Sequence, residues 1–384
     1  MSGSTMTLIA TVLGVYHAYT VLGASTLGKV VPVIGVYLLY RMGAFQLSLY
    51  RLKTAASGVK RLLSMPEKDK LQCIAAYEFF QKMQAGEKTK TEDETMHVRN
   101  YYNVLNEIMS IADIEKMYIP PQLNEWEGLY ANQLLCEQGV LKELNLKRPE
   151  KSHLLDMGCG RGRISHYFSE MTGGKVSGYN IDPNQIQNAK DYAIETNTTD
   201  KLDFKVGDHH NPLEYPDETF DGCFSFQAVW PFFKKEELDS HAKEMYRVLK
   251  PGARYACSEY LLTPHFDWNN EEHVNLHKLF LPTLAATQSM YPADVCAALE
   301  RAGFKIILSA PSKSEAWPLC EQKRDLIYAF RRVVHFFTAI YLCPSWLAPL
   351  LDNLQMGGQA WTDAEKMKIA DLNWRIVCQK PIKN

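Results

Sequence analysis

Between Leu154 and Glu259 short apolar runs alternate with stretches whose apolar residues recur at helical spacing. Leu154–Met157, Val176–Asn180, Asp203–Val206, Phe220–Phe226 and Tyr255–Glu259 have the length and composition of strands. Ile164–Met171, Pro183–Glu195 and Glu236–Leu249 between them carry the helical period. This alternation predicts βαβ units: an α/β fold, Rossmann-like and doubly wound, with a mostly parallel sheet. Upstream, Lys60–Met83, His97–Ser110 and Trp126–Leu144 have helical spacing. Downstream, Pro292–Ala302 predicts a helix, Gly303–Leu308 a strand and Asn373–Lys380 a last strand.

The amino-terminal pattern is different. The 23 residues from Met6 to Gly28 carry no Asp, Glu, Lys or Arg, and after Lys29 the run Val30–Tyr40 is again uncharged. A helix of about 20 apolar residues crosses a bilayer core. Arg41, Arg51, Lys53, Lys60 and Arg61 follow on the carboxyl side, which the positive-inside rule assigns to the cytosol. Residues 1–50 are therefore expected to anchor the protein to the endoplasmic reticulum membrane, with the rest facing the cytosol. The same pattern also fits buried core helices or a helical arm. Residues 51–96 read as a helical and charged connection in which Ala85–Thr95 is a solvated linker, and residues 97–384 as the main domain.

Composition narrows the function. A net charge of −2, with no Lys/Arg block, gives no electrostatic case for nucleic acid. Nine scattered cysteines include no C-x-x-C pair; they read as reduced thiols, and no zinc-site spacing is present, so no metal is expected.

The densest chemistry follows the first strand, in Asp156-Met157-Gly158-Cys159-Gly160-Arg161-Gly162. Glycines at that spacing turn the backbone sharply and bring it close to a nucleotide-like ligand at the start of the next helix. The later Val206-Gly207-Asp208 and Arg247-Val248-Leu249-Lys250-Pro251-Gly252 complete a set that resembles the S-adenosylmethionine-dependent methyltransferases of the Rossmann-like class, over residues 95–384. The resemblance implies S-adenosyl-L-methionine as cofactor, a seven-stranded sheet and a carboxyl-terminal antiparallel pair. Asp156, Gly158, Gly160 and Gly162 would then hold the methionine and ribose part. Asn180, with Gln185 beyond it, would meet the ribose hydroxyls, Asp208 with His209 the adenine, and Gln227 the methionine end.

The longer resemblance is to the sterol C24-methyltransferase and triterpene methyltransferase group. It rests on Tyr101-Tyr102-Asn103; on Ser258–Thr263 with Phe266-Asp267, Asn270, Glu272 and His273; and on Leu351, Leu354, Gly357-Gly358 and Lys380-Pro381. This chain departs from the group where it reads Ile111–Pro121 without the Phe-His-Phe box. It also has Gln227-Ala228-Val229-Trp230-Pro231 in place of Glu-Ala-Thr-Cys-His, and Arg161-Gly162-Arg163 in place of small residues. Fold and cofactor carry over; C24 specificity does not follow.

The acceptor implied is a lipophilic small molecule. Val333–Leu351 holds no Asp, Glu, Lys or Arg and reads either as core or as a lipid-facing wall within residues 310–370. An alkene acceptor needs aromatic faces for its cation and a base for its proton, with Tyr101, Tyr102, Trp230, His209 and above all Glu259 as candidates. An oxygen or nitrogen acceptor would turn instead to His209 or His210. A catalytically silent binding protein is the reading from another class.

Overall fold

The computed structural model describes residues 60–61, 64–84, 89–111, 115–340 and 345–382. The expected anchor, residues 1–50, lies outside them. Among the described residues no helix is long and apolar enough to cross a membrane. The chain divides into two compact units, one of residues 65–109 and 114–384, to which the elements below belong almost entirely, and one of residues 1–64 and 110–113.

Seven strands, β1 (His153–Met157), β2 (Lys175–Asn180), β3 (Leu202–Val206), β4 (Phe220–Phe226), β5 (Leu249–Leu262), β6 (Lys305–Ala310) and β7 (Ala370–Gln379), form one sheet in the order β3-β2-β1-β4-β5-β7-β6. β1 pairs in parallel with both β2 and β4, and the strand order reverses there. β7 runs antiparallel to β5 and β6, so the sheet is mixed.

The strands alternate sides. On β1, Leu155 and Met157 join one apolar cluster and Leu154 the other; on β5, Tyr255 and Cys257 face Ala256 in the same way. Helices cover both faces because each has an apolar stripe. α4 (Arg163–Thr172) follows β1. α5 (Pro183–Glu195) starts on Asp182, whose side chain accepts from the Asn184 N–H at 2.8 Å, with Pro183 at the first helical position. α6 (Leu238–Val248) buries Leu238, His241, Ala242, Met245 and Val248, the spacing of a single face.

Seven further α-helices are described, two of them also packed on faces of the sheet. They are α1 (Glu67–Gln84), α2 (Thr91–Ile111), α3 (Leu129–Glu143), α7 (Glu271–Phe280), α8 (Pro292–Arg301), α9 (Trp317–Ala339) and α10 (Leu347–Lys366). Two sequence expectations change here. Thr91–Thr95 is not linker but the first turn of α2. The helical stretch before it is more than a connection, since α1 buries Cys73, Ala76 and Phe80, with Phe80 edge-on to Tyr101 at 6.0 Å.

Candidate active site

The turn after β1 carries Gly158, Gly160 and Gly162 at φ of 78°, 52° and 73°, the left-handed region that only glycine enters freely. Their surroundings separate their tasks. A Cβ on Gly158 would stand 2.3 Å from that of Ala228, and one on Gly162 would stand 2.7 Å from Phe204, so both are packing positions. A Cβ on Gly160 would meet nothing nearer than Gln185 Oε1 at 3.8 Å, so its backbone stands open. It opens onto a cleft of about 1040 Å³ at the strand-order reversal.

The sequence-selected residues Tyr102, Gly158, Gly160, Asn180, Gln185, Asp208, His209 and Gln227 all line this cleft. Asn180 Nδ2 donates to Gln185 Oε1 at 2.7 Å, and Gln185 Nε2 donates to Asn106 Oδ1 at 2.7 Å. Asp182 is buried and occupied by the helix start and by Asn106 Nδ2 at 2.8 Å. This end of the cleft thus presents an amide pair rather than a carboxylate.

Asp208 Oδ1 accepts from the His210 N–H at 2.9 Å and from its Nδ1 at 2.8 Å, while Nε2 of the same ring lies 3.1 Å from the Phe232 carbonyl. Both partners only accept, so both ring nitrogens donate. Burial works to lower the ring's pKa, but the Asp208 carboxylate outweighs it and holds His210 above its usual range. Burial likewise works to raise Asp208, and the His210 donors hold it below the usual carboxylate range. His209 is the opposite case: burial lowers it to about 4, so it stands neutral in the cleft wall.

Beyond the cleft lies a second cavity of about 1290 Å³, whose walls include Leu105, Ile119, Leu284, Leu354, Trp361 and Leu372. The two meet at Tyr102, Met117, Tyr118, Gln227 and Phe232, which line both. Gln227, at φ 50°, spans the meeting point: its Nε2 donates to the carbonyls of Ile119 at 2.9 Å and Leu372 at 2.8 Å.

A family profile described as a methyltransferase domain matches residues 154–252. The sterol 24-C-methyltransferase erg-4 of Neurospora crassa is 24% identical over 359 residues, covering 85% of this chain and 92% of its own. The sterol 24-C-methyltransferase ERG6 of Saccharomyces cerevisiae is 29% identical over 226 residues, 58% of this chain and 57% of its own. The chain is a class I S-adenosylmethionine-dependent methyltransferase related to the sterol C24-methyltransferases. Solved structures agree on the fold. The [4+2]-cyclase SpnF has a TM-score of 0.59 at 20% identity, over 75% of this chain and 97% of its own. A geranyl diphosphate methyltransferase with GPP and sinefungin has a TM-score of 0.58 at 13% identity, over 75% and 99%.

Five sequence candidates, Tyr101, Asp156, Gly162, Trp230 and Glu259, line neither cavity; Tyr101 is buried, with its hydroxyl donating to the Thr283 carbonyl at 3.1 Å. Asp156 shares the face of β1 that carries Leu154, under α4, where it accepts from Ser165 Oγ at 2.5 Å; burial pushes its carboxyl up to about 7. It therefore braces the glycine turn from behind instead of facing the cleft. Glu259, expected as the base, is fully buried beneath residues 228–229. Its carboxylate accepts from Ser225 Oγ at 2.5 Å and from the N–H groups of Ala228 at 3.0 Å and Val229 at 3.3 Å; burial raises it to about 7. Trp230 is packed in the core against His241 and Tyr255. Gly162 is likewise a packing residue. The apolar wall is displaced as well. Val333, Phe336, Phe337 and Ile340 are exposed, and the cavity is closed by Cys320 of α9 and by Leu354, Gln355, Gly358 and Trp361 of α10, one helical stripe further on.

Sequence reasoning missed a buried cluster beside the junction. Lys116 Nζ lies 2.8 and 2.6 Å from the two oxygens of Glu137, and the Tyr118 hydroxyl donates to Glu137 Oε1 at 2.7 Å. Gln133 Nε2 fixes a strap of residues 115–119 by donating to the carbonyls of Lys116 and Tyr118. The signal was present in α3: Gln133 and Glu137 share the inward stripe with Val140 and Leu144. A carboxylate on an apolar stripe needs a partner.

Proposed function

We propose that this enzyme methylates a carbon atom of a lipophilic acceptor of sterol type, at a membrane surface, using S-adenosylmethionine. The observation that carries the reading is the direct meeting of a cleft that carries polar groups on the glycine turn with a second, largely apolar cavity. The cofactor fits the cleft: Gly160 leaves an open backbone cradle, the Asn180–Gln185 amides suit ribose hydroxyls, and Asp208 with His209 suits an adenine edge. When bound, it supplies a methyl group on a sulfonium, already activated for in-line transfer.

The chain's own residues align and desolvate. Gln227 fixes the width of the junction through its two carbonyl partners. Tyr102, Tyr118, Phe226 and Phe232 line the cleft with aromatic rings, whose faces favour a developing positive charge. The relatives named for sterol 24-C-methylation support an alkene carbon of a sterol as the acceptor.

The test is transfer of a labelled methyl group from S-adenosylmethionine into a total lipid extract by membrane-bound recombinant protein, with mass spectrometry of the product. Label on a sterol carbon is the expected result. Label on an oxygen or nitrogen would move the chemistry to His209, the neutral ring in the cleft wall, and would end the C-methylation reading.

A further inference from the structure

C-methylation of an alkene creates a proton to be disposed of. Once the alkene has taken the methyl group, the acceptor carries a positive charge. It is discharged when a C–H bond breaks, its electron pair closes a new double bond, and a base receives the proton. The base has to reach the place where acceptor and cofactor meet. Five residues line both cavities, and four of them are unsuited. Met117 and Phe232 have no basic atom. The Gln227 amide is held by Ile119 and Leu372. The Tyr102 hydroxyl donates to the Leu284 carbonyl at 3.2 Å, which leads a proton nowhere. Glu259 lies behind the wall, and His209 lines the cofactor cleft only.

Tyr118 differs. Its hydroxyl donates to the Glu137 carboxylate at 2.7 Å and also lies 3.1 Å from the Gln133 carbonyl; both partners accept, so the phenol lone pairs stay open to an incoming proton. Glu137 is fully buried, and its charge is balanced by Lys116, which itself lines the cofactor cleft. Resting on the C-methylation reading, we propose that Tyr118 is the catalytic residue that takes the acceptor's proton, passing its own phenolic hydrogen to Glu137. The O–H bond to the carboxylate forms as the phenol's original one breaks; Tyr118 ends neutral, Glu137 ends as the acid, and the acceptor ends neutral. Glu137 and Lys116 act through Tyr118 and are positioning residues. Burial raises the Glu137 carboxyl above its usual range, which suits a group that must hold a proton for part of each cycle.

The experiment uses the full chain in membranes containing desmosterol, a sterol with a side-chain alkene, alongside the total lipid extract. Tyr118→Phe keeps the ring beside Phe226, 5.0 Å between centroids, and removes only the hydroxyl. Expected are an unchanged cofactor dissociation constant, a turnover lower by about a hundredfold, and accumulation of methylated products that have captured water instead of losing a proton. Glu137→Gln, with its melting temperature as a check on folding, should reproduce that product shift. A larger isotope effect for acceptor deuterated at the departing position should accompany both. Ordinary turnover and products in Tyr118→Phe overturn this proposal alone. A wild-type enzyme that labels no alkene-derived carbon overturns the C-methylation reading and this one with it.

Discussion

At the scale of single residues the site is governed by what each side chain would strike or lose. Gly158→Ala forces a methyl group to 2.3 Å from Ala228 in a left-handed backbone, and should cost about 1–3 kcal/mol of stability together with cofactor affinity. Gly160→Ala meets open space but still forces a left-handed backbone, so it should cost about 1 kcal/mol, less than Gly158→Ala, and weaken the cofactor; melting temperatures and calorimetric titration of both variants separate the two cases. Asp156 and Glu259 make a statement about pH. Their carboxyls titrate at about 7 in the fold, whereas in an unfolded chain they titrate near pH ~4. Between those values the folded protein holds more protons. Stability should therefore be highest near the acid end of that window, fall as pH rises towards 7 by up to about 1.4 kcal/mol per pH unit for each group, and level off above. Glu259→Gln should flatten part of this slope, measured by denaturant unfolding from pH 5 to 8. An unaltered slope would show that Glu259 carries no such proton.

At the scale of elements, α10 offers two adjacent glycines with opposite fates. A Cβ on Gly357 would stand 1.9 Å from Thr283 Cγ2, so Gly357→Ala should loosen the packing of α10 on the Leu281–Leu284 turn and lower the melting temperature. Gly358 lines the apolar cavity, and nothing lies within 4 Å of its added Cβ. Gly358→Leu should fold as well as the parent, gain up to ~1 kcal/mol of helix propensity, bind cofactor normally, and lose lipid turnover at least tenfold. Normal turnover would place the acceptor elsewhere. The sequence made the strands legible because their apolar runs are short and sharply bounded: Leu154–Met157 and Phe220–Phe226 reappear as β1 and β4. It made the cleft legible because the glycine turn is local. It concealed Glu259 and Asp156 as bracing groups, since which face of a strand end meets the ligand depends on the helix packed over it. It concealed the cavity wall too, since α9 and α10 acquire their inward stripe only against α7 and the turn after it.

At the scale of the whole molecule, the membrane attachment proposed above rests on the amino terminus, which lies outside the described residues. A protein lacking residues 1–50 should leave the membrane fraction and keep cofactor affinity; a truncated form that still pellets with membranes would show that the anchor is elsewhere. The division of labour between the two cavities has a wider consequence. In the proposed reading the cofactor cleft draws on the turns after β1, β2 and β3, together with residues 115–118 and part of α2. Much of the acceptor cavity comes from α10, the Leu281–Leu284 turn and the strap at Met117–Ile119, and only a few junction residues serve both. On that reading, changes in α10 and the Leu281–Leu284 turn, which line the second cavity alone, alter what is methylated without touching the groups that hold the methyl donor. Such a chain can exchange one lipid for another over evolutionary time, or in a laboratory library confined to those segments, while every intermediate variant remains a working cofactor binder.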